Sequence, residues 1–184
     1  MTAQQQTKPS TIDLELLNLD IEDFLPKIDM YVSIVREWIY TTVEFPFKYE
    51  FNSESIVKLL FDRLRALNKI HDNFLIDVIN MNEPLREYVD TEEHENDEFY
   101  SEMLEINIRL DKIRESLNDR IDDLNKLEFI DYPAKYDSYC VLFSDEKIKK
   151  TVQHDLMKIG KVAKDHLMYV EQQIEMAKKY IAAE

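Results

Sequence analysis

The chain has 184 residues, with 38 acidic side chains against 23 basic ones and a net charge of −15. That excess repels a phosphate backbone and an anionic lipid surface, so no nucleic acid and no membrane is expected among its partners. A single glycine, Gly160, and a single cysteine, Cys140, exclude phosphate loops, dinucleotide fingerprints, an internal disulfide and a cysteine-built zinc site.

The opening MTAQQQTKPS predicts a polar, disordered tail over 1–10, followed by a single elongated helical domain over 11–184. The tail lacks the apolar stretch of a secretory leader, and no run approaches the roughly 20 apolar residues that span a bilayer. With one cysteine, the expected location is cytoplasmic or nuclear.

Leu25, Ile28, Val32, Val35 and Ile39 step by 3, 4, 3 and 4, which puts one apolar stripe on a first helix, with Pro26 placed to open it. The aromatic stretch REWIYTTVEFPFKYEF then carries Trp38, Tyr40 and Pro46 and reads as a connector that turns the chain and closes the bundle's end. Ser53 and Ser55 offer capping hydroxyls for a second helix. Its stripe is Val57, Leu60, Leu64, Leu67, His71, Phe74, Val78, Met81, Leu85 and Tyr88, with a bend or restart expected at Pro84. The acidic DTEEHENDE at 90–98 lacks the spacing and turn glycine of a calcium loop and reads as a solvated linker.

The third segment holds two seven-residue series: Met103, Leu110, Leu117 and Leu124, and Ile106, Ile113, Arg120 and Leu127. Such heptads favour coiled-coil packing. A second aromatic connector around Pro133 and Cys140 leads to a last helix striped by Ile148, Val152, Leu156, Ile159, Ala163, Leu167, Val170, Ile174, Ala177 and Ile181. The fold class is therefore all-α, an elongated bundle of long amphipathic and coiled-coil helices. Its long seams make Trp38, Tyr40, Leu60, Leu67, Phe74, Met81, Leu110, Leu117, Arg120, Leu124, Ile159, Val170 and Ile174 the candidate partner-interface residues.

No catalytic, metal or cofactor site is expected. The residues three before His71, His94, His154 and His166 are Asn68, Thr91, Thr151 and Ala163, so the Glu-x-x-His pairs of a di-iron bundle are missing. His71 and His166 read as hydrogen-bonded polar residues at helix interfaces rather than as pH switches. Cys140, with aromatic and aliphatic neighbours, reads as a small buried hydrophobe.

The order of elements, with Glu37-Trp38-Ile39-Tyr40 closing the first helix, Leu85-Arg86-Glu87-Tyr88 the second, and Phe129-Ile130-Asp131-Tyr132-Pro133 before the last, resembles the p24 family, dynactin subunit 3. Thr41 stands where that family's pattern has glycine, and the acidic 90–98 segment replaces a more apolar link. The resemblance implies a non-catalytic structural subunit packed against dynamitin and the large p150 subunit, in a cytoskeleton-associated complex serving dynein-driven transport on microtubules. Two alternatives stand beside it: a kinetochore subunit of the Mis12 type, and an 11S-type proteasome activator forming seven-membered rings. An enzyme would need a polar cluster inside the bundle, for which the stripes supply only His71, Arg120 and His166.

Overall fold

The computed structural model describes residues 14–44, 54–127 and 146–181. Four long helices carry it: α1 (Leu14–Ile39), α2 (Glu54–Val89), α3 (Tyr100–Asn125) and α4 (Glu146–Ile181). A π turn, Tyr40–Glu44, prolongs α1, and a short 3₁₀ turn, Glu92–His94, lies between α2 and α3. No strand occurs among the described residues. The tail at 1–10, the connector beyond residue 44 with Pro46, Ser53, and the second connector with Pro133 and Cys140 lie outside the described residues. So do the side chains of Val57, Leu60, Ile148, Val152 and Ile181.

The helices pack in a ring, α1 on α2, α2 on α3, α3 on α4 and α4 back on α1. Each neighbour runs antiparallel to the last. Phe24 stacks on Phe74 while Trp38, further along α1, bonds to Arg63, earlier in α2. Arg36 pairs with Glu171, whereas Val43 lies against Gly160. This is the up-down-up-down order of a four-helix bundle.

One core runs through all four helices, with Leu64, Val78, Leu85, Tyr88, Ile113, Leu117 and Val170 wholly enclosed. Burying each such side chain contributes roughly 1.5–3 kcal/mol relative to leaving it exposed. The seven-residue series of α3 supplies that core: Met103, Leu110, Leu117, Leu124, Ile106 and Ile113 are buried and Leu127 packs beside them.

Both helix-interior prolines depart from the sequence expectation. Pro26 does not open α1 but sits inside it, and α2 runs through Pro84 without an interruption. A proline costs a helix one hydrogen bond, to the carbonyl four residues earlier. Here those carbonyls belong to Glu22 and Asn80, both exposed, so water can take the vacated position. The first helix also starts earlier than its stripe suggested, because Leu17, Ile21 and Phe24 extend the buried line toward the N-terminus.

Candidate functional site

At mid-bundle each helix contributes one polar side chain to a single cluster. Tyr31 of α1 places its hydroxyl 2.8 Å from His71 Nδ1 on α2 and 2.7 Å from His166 Nε2 on α4. Ser116 of α3 lies 2.8 Å from the other ring nitrogen of His166, Nδ1. The two imidazoles meet edge to face with ring centroids 5.6 Å apart. Tyr31, His71 and His166 are 3%, 1% and 2% exposed, so the phenol and both imidazoles are closed to solvent, while Ser116 is partly exposed at the tetrad's edge. Phe74 stacks on Tyr31 at 4.0 Å and Phe24 stacks on Phe74 in turn, walling one side with aromatic carbon.

Proton counting restricts how the tetrad bonds. The Tyr31 hydroxyl donates once, so of the two nitrogens facing it one must be bare and the other must carry a proton. If Tyr31 donates to His166, then His166 Nδ1–H donates to Ser116 Oγ, and His71 Nδ1–H donates to the phenol oxygen. If Tyr31 donates to His71 instead, His166 Nε2–H donates to the phenol and Ser116 O–H donates to His166 Nδ1. Both arrangements satisfy every contact with neutral rings. Neither arrangement calls for a charged ring, and a proton added to the bare nitrogen that faces the phenol leaves its O–H without an acceptor.

The electrostatics agree. Burial, joined by the charge of Arg120, pushes His71 down to about 4. Burial, then the charges of His71 and Arg120, pushes His166 down to about 3. Burial raises Tyr31 above the ordinary phenol range. Each shift keeps its group neutral, as a low-dielectric site requires.

Arg120 sits one turn beyond Ser116 on α3. Its Nη2 pairs with Asp123 of the same helix at 3.1 Å, while its Nε is buried without a partner. A carboxylate from its own helix thus faces this guanidinium. The three polar residues that interrupted the apolar stripes, His71, Arg120 and His166, do come together. Tyr31 and Ser116 were missed. Tyr31 lies three residues after Ile28 and four before Val35, so the stripe rule fits it as well as Val32. Ser116 next to Leu117 carries no signal of its own.

Other polar clusters tie pairs of helices. Asp111 Oδ1 accepts from Asn82 at 2.7 Å and Arg86 at 2.8 Å, and pairs with Arg114 at 2.8 Å. Near the far end of α1, the Trp38 indole N–H donates to the Arg63 carbonyl at 2.7 Å, and Arg63 Nη1 donates to Thr41 Oγ1 at 2.6 Å. The segment read as a solvated linker is partly built: Tyr88 stacks on His94 at 4.3 Å, and both bond Asp97 Oδ2, at 3.0 and 2.7 Å. Those bonds hold the Asp97 carboxyl below its usual value. Among the described residues, no group of three or more potential ligands is arranged to hold a metal.

The structure sorts the interface candidates. Trp38, Leu67, Phe74, Met81, Leu110, Leu117, Leu124, Val170 and Ile174 are buried in the chain's own core, and Ile159 packs partly against it. A 3–4 apolar repeat records that a face is covered, not whose helix covers it. Tyr40 is exposed at 58% and Arg120 is partly exposed, while Leu60's side chain is not described. Beside Tyr40, the large apolar residues that do face outward are Leu16, Leu19, Met30 and Ile34 on α1, Leu59 and Ile76 on α2, Phe99 just before α3, and Met157, Met168, Tyr169 and Tyr180 on α4. No helix is long and apolar enough to cross a membrane, among the described residues. No protein-family model, curated protein or solved structure matches this chain.

Proposed function

We propose that the chain is a non-catalytic, rod-like structural subunit of a multi-protein helical assembly. The outward face of α1 carries this reading. Leu16, Leu19 and Met30 are 57%, 58% and 58% exposed, and with Asp23 and Pro26 they follow steps of 3, 4, 3 and 4. The inward stripe of α1 already fills the core, so a second line at helical spacing, apolar but for Asp23, has no use within the bundle. A covering helix from another chain gives it one.

The resemblance to the dynactin p24 family adds a named destination within that class: dynamitin and the large p150 subunit, in the cytoplasm. The tetrad favours scaffold over enzyme. Its polar atoms bond one another inside the bundle, and neither the cleft beside Glu146–His154 nor the one between Arg36 and Glu171 includes a tetrad residue.

Affinity purification from the source cells, with quantitative mass spectrometry, tests the reading. A stoichiometric set of helical partners is expected. Dynamitin and p150 would select the dynactin destination, and kinetochore subunits the Mis12-type one. A lone monomer without stoichiometric partners, or turnover of a small molecule by the pure chain, refutes the scaffold role.

A further inference from the structure

The acidic balance of the chain is reversed in one place. Residues 147–164 carry six lysines against one carboxylate, Asp155, while the whole chain stands at −15. The structure gives this stretch a direction. Lys150, His154, Met157, Lys161, Lys164 and Met168 are all exposed and recur at steps of 4, 3, 4, 3 and 4. That is the spacing of a helix–helix seam, here turned outward from α4 over about 27 Å. Met157 and Met168 are 62% and 61% exposed, and methionine is the apolar residue best able to adapt to a foreign surface. Beside the stripe, a cleft between α1 and α4 is lined by Ile39, Tyr40, Leu167 and Met168, and bridged by the Arg36–Glu171 pair at 2.5 Å.

We propose that this α4 stripe docks an acidic amphipathic helix of a partner subunit, its apolar residues on Met157, Met168 and Tyr40 and its carboxylates among Lys150, Lys161 and Lys164. The inference rests on the assembly role proposed above and names the chemistry of one partner. Charge complementarity selects the occupant. A basic helix would be repelled by these lysines, and a purely apolar one would desolvate the ammonium groups of Lys150 and Lys161 under a dry surface.

The test uses the full chain and a designed 21-residue helical peptide with leucines alternating at three- and four-residue spacing, flanked by glutamates. A matched peptide has lysine for every glutamate. Fluorescence anisotropy should show binding of the acidic peptide only, weakened about tenfold between low and physiological salt. Lys150→Glu/Lys161→Glu/Lys164→Glu should weaken it by about a hundredfold, and Met157→Ser/Met168→Ser by about tenfold. All five positions are exposed, so unchanged circular dichroism is expected in both variants. Equal binding of both peptides, or full binding by the methionine variant, overturns the docking surface. Light scattering should find the free chain monomeric; a dimer that the lysine variant dissociates overturns the proposal in favour of a second copy. Stoichiometric partners that remain bound to the lysine variant in cells overturn this proposal and leave the assembly role standing. An absence of partners for the unaltered chain strikes the assembly role instead.

Discussion

Acidification should weaken this bundle through two named imidazoles. An unfolded histidine titrates near 6.5, whereas His71 and His166 in the fold titrate at about 4 and about 3. A group whose folded value is depressed in this way favours folding fully only above its unfolded value. The unfolded chain binds protons first as the pH falls, so stability drains away below about 6.5 and stops draining only when the folded rings charge. At pH 5 the unfolded state gains roughly 2 kcal/mol from each ring while the folded state gains almost nothing, a loss of about 4 kcal/mol relative to pH 8. Both rings are buried, so solvent does not screen the effect away. For a domain whose net stability is about 5–15 kcal/mol, that is a large share.

Two other terms must be separated. Lowering the pH reduces the self-repulsion of a −15 chain and so stabilises it, opposing the histidines. Asp97, whose carboxyl is held below 3.8, contributes stability that is lost only as the pH falls below that value, outside the 8-to-5 window. The assay is urea denaturation at pH 8, 7, 6 and 5 on the natural chain and on His71→Gln/His166→Gln, whose amides bond without titrating. The difference between their pH slopes isolates the imidazoles and should reach about 4 kcal/mol at pH 5. In the folded chain, two imidazole C2–H resonances should stay unmoved down to pH 5. Parallel slopes, or four histidine resonances all shifting above pH 5, would refute the argument.

Two further perturbations have calculable signs. A Cβ at Gly160 would stand 2.5 and 2.9 Å from the two methyls of Val43, a stiff β-branched neighbour. Gly160→Ala should therefore lose about 1–3 kcal/mol by overpacking, and lose much less in a Val43→Ala background, where only a Cβ–Cβ contact at 3.1 Å remains, read from urea midpoints. Arg120→Leu removes a buried Nε without a partner and one positive charge near both imidazoles. It should raise stability by about 1 kcal/mol at pH 7 and shrink the acid loss; a lowered midpoint would count against both effects.

Much of the fold was legible because amphipathic spacing is a property of local sequence. The stripes through Leu64, Val78 and Leu85, or through Leu110, Leu117 and Leu124, mark buried faces wherever the covering helix comes from. For the same reason they do not say whose helix lies over them. Trp38, Phe74 and Val170 look alike in sequence whether a sister helix or a foreign one lies over them. The prolines misled, since the helical penalty of Pro26 and Pro84 depends on whether water reaches Glu22 and Asn80, which is a tertiary fact. The outward lines on α1 and α4 were hidden because Leu16, Leu19, Met157 and Met168 fall between positions of the stronger inward stripes. His71 and His166 were visible as polar interruptions. That they share one phenol was not, because the register linking positions 31, 71, 116 and 166 exists only once four helices are aligned.

That alignment explains why a polar tetrad persists in a core that apolar residues could fill. The inward line of α4 is Leu, Ala, Leu, Val and Ile, and such a line packs tolerably if the helix slides by a turn. The tetrad does not tolerate the slide: one turn either way brings Val162 or Val170 to the level of His166. Tyr31 and His71 could still bond each other, but both ring nitrogens of His166 would lose these partners, and a buried group left unpaired costs roughly 1–3 kcal/mol. The layer accordingly adds little net stability and much selectivity among registers. The consequence can be measured. Tyr31→Phe alone strands two imidazoles and should cost about 2–4 kcal/mol. Replacing all four, with Tyr31→Phe, His71→Leu, Ser116→Ala and His166→Leu, removes the stranded groups. The quadruple variant should recover to the natural chain's stability or exceed it, while its amide NMR spectrum broadens as neighbouring registers become populated. A quadruple variant less stable than Tyr31→Phe, or one with an equally sharp single spectrum, would show that the tetrad does not set the register.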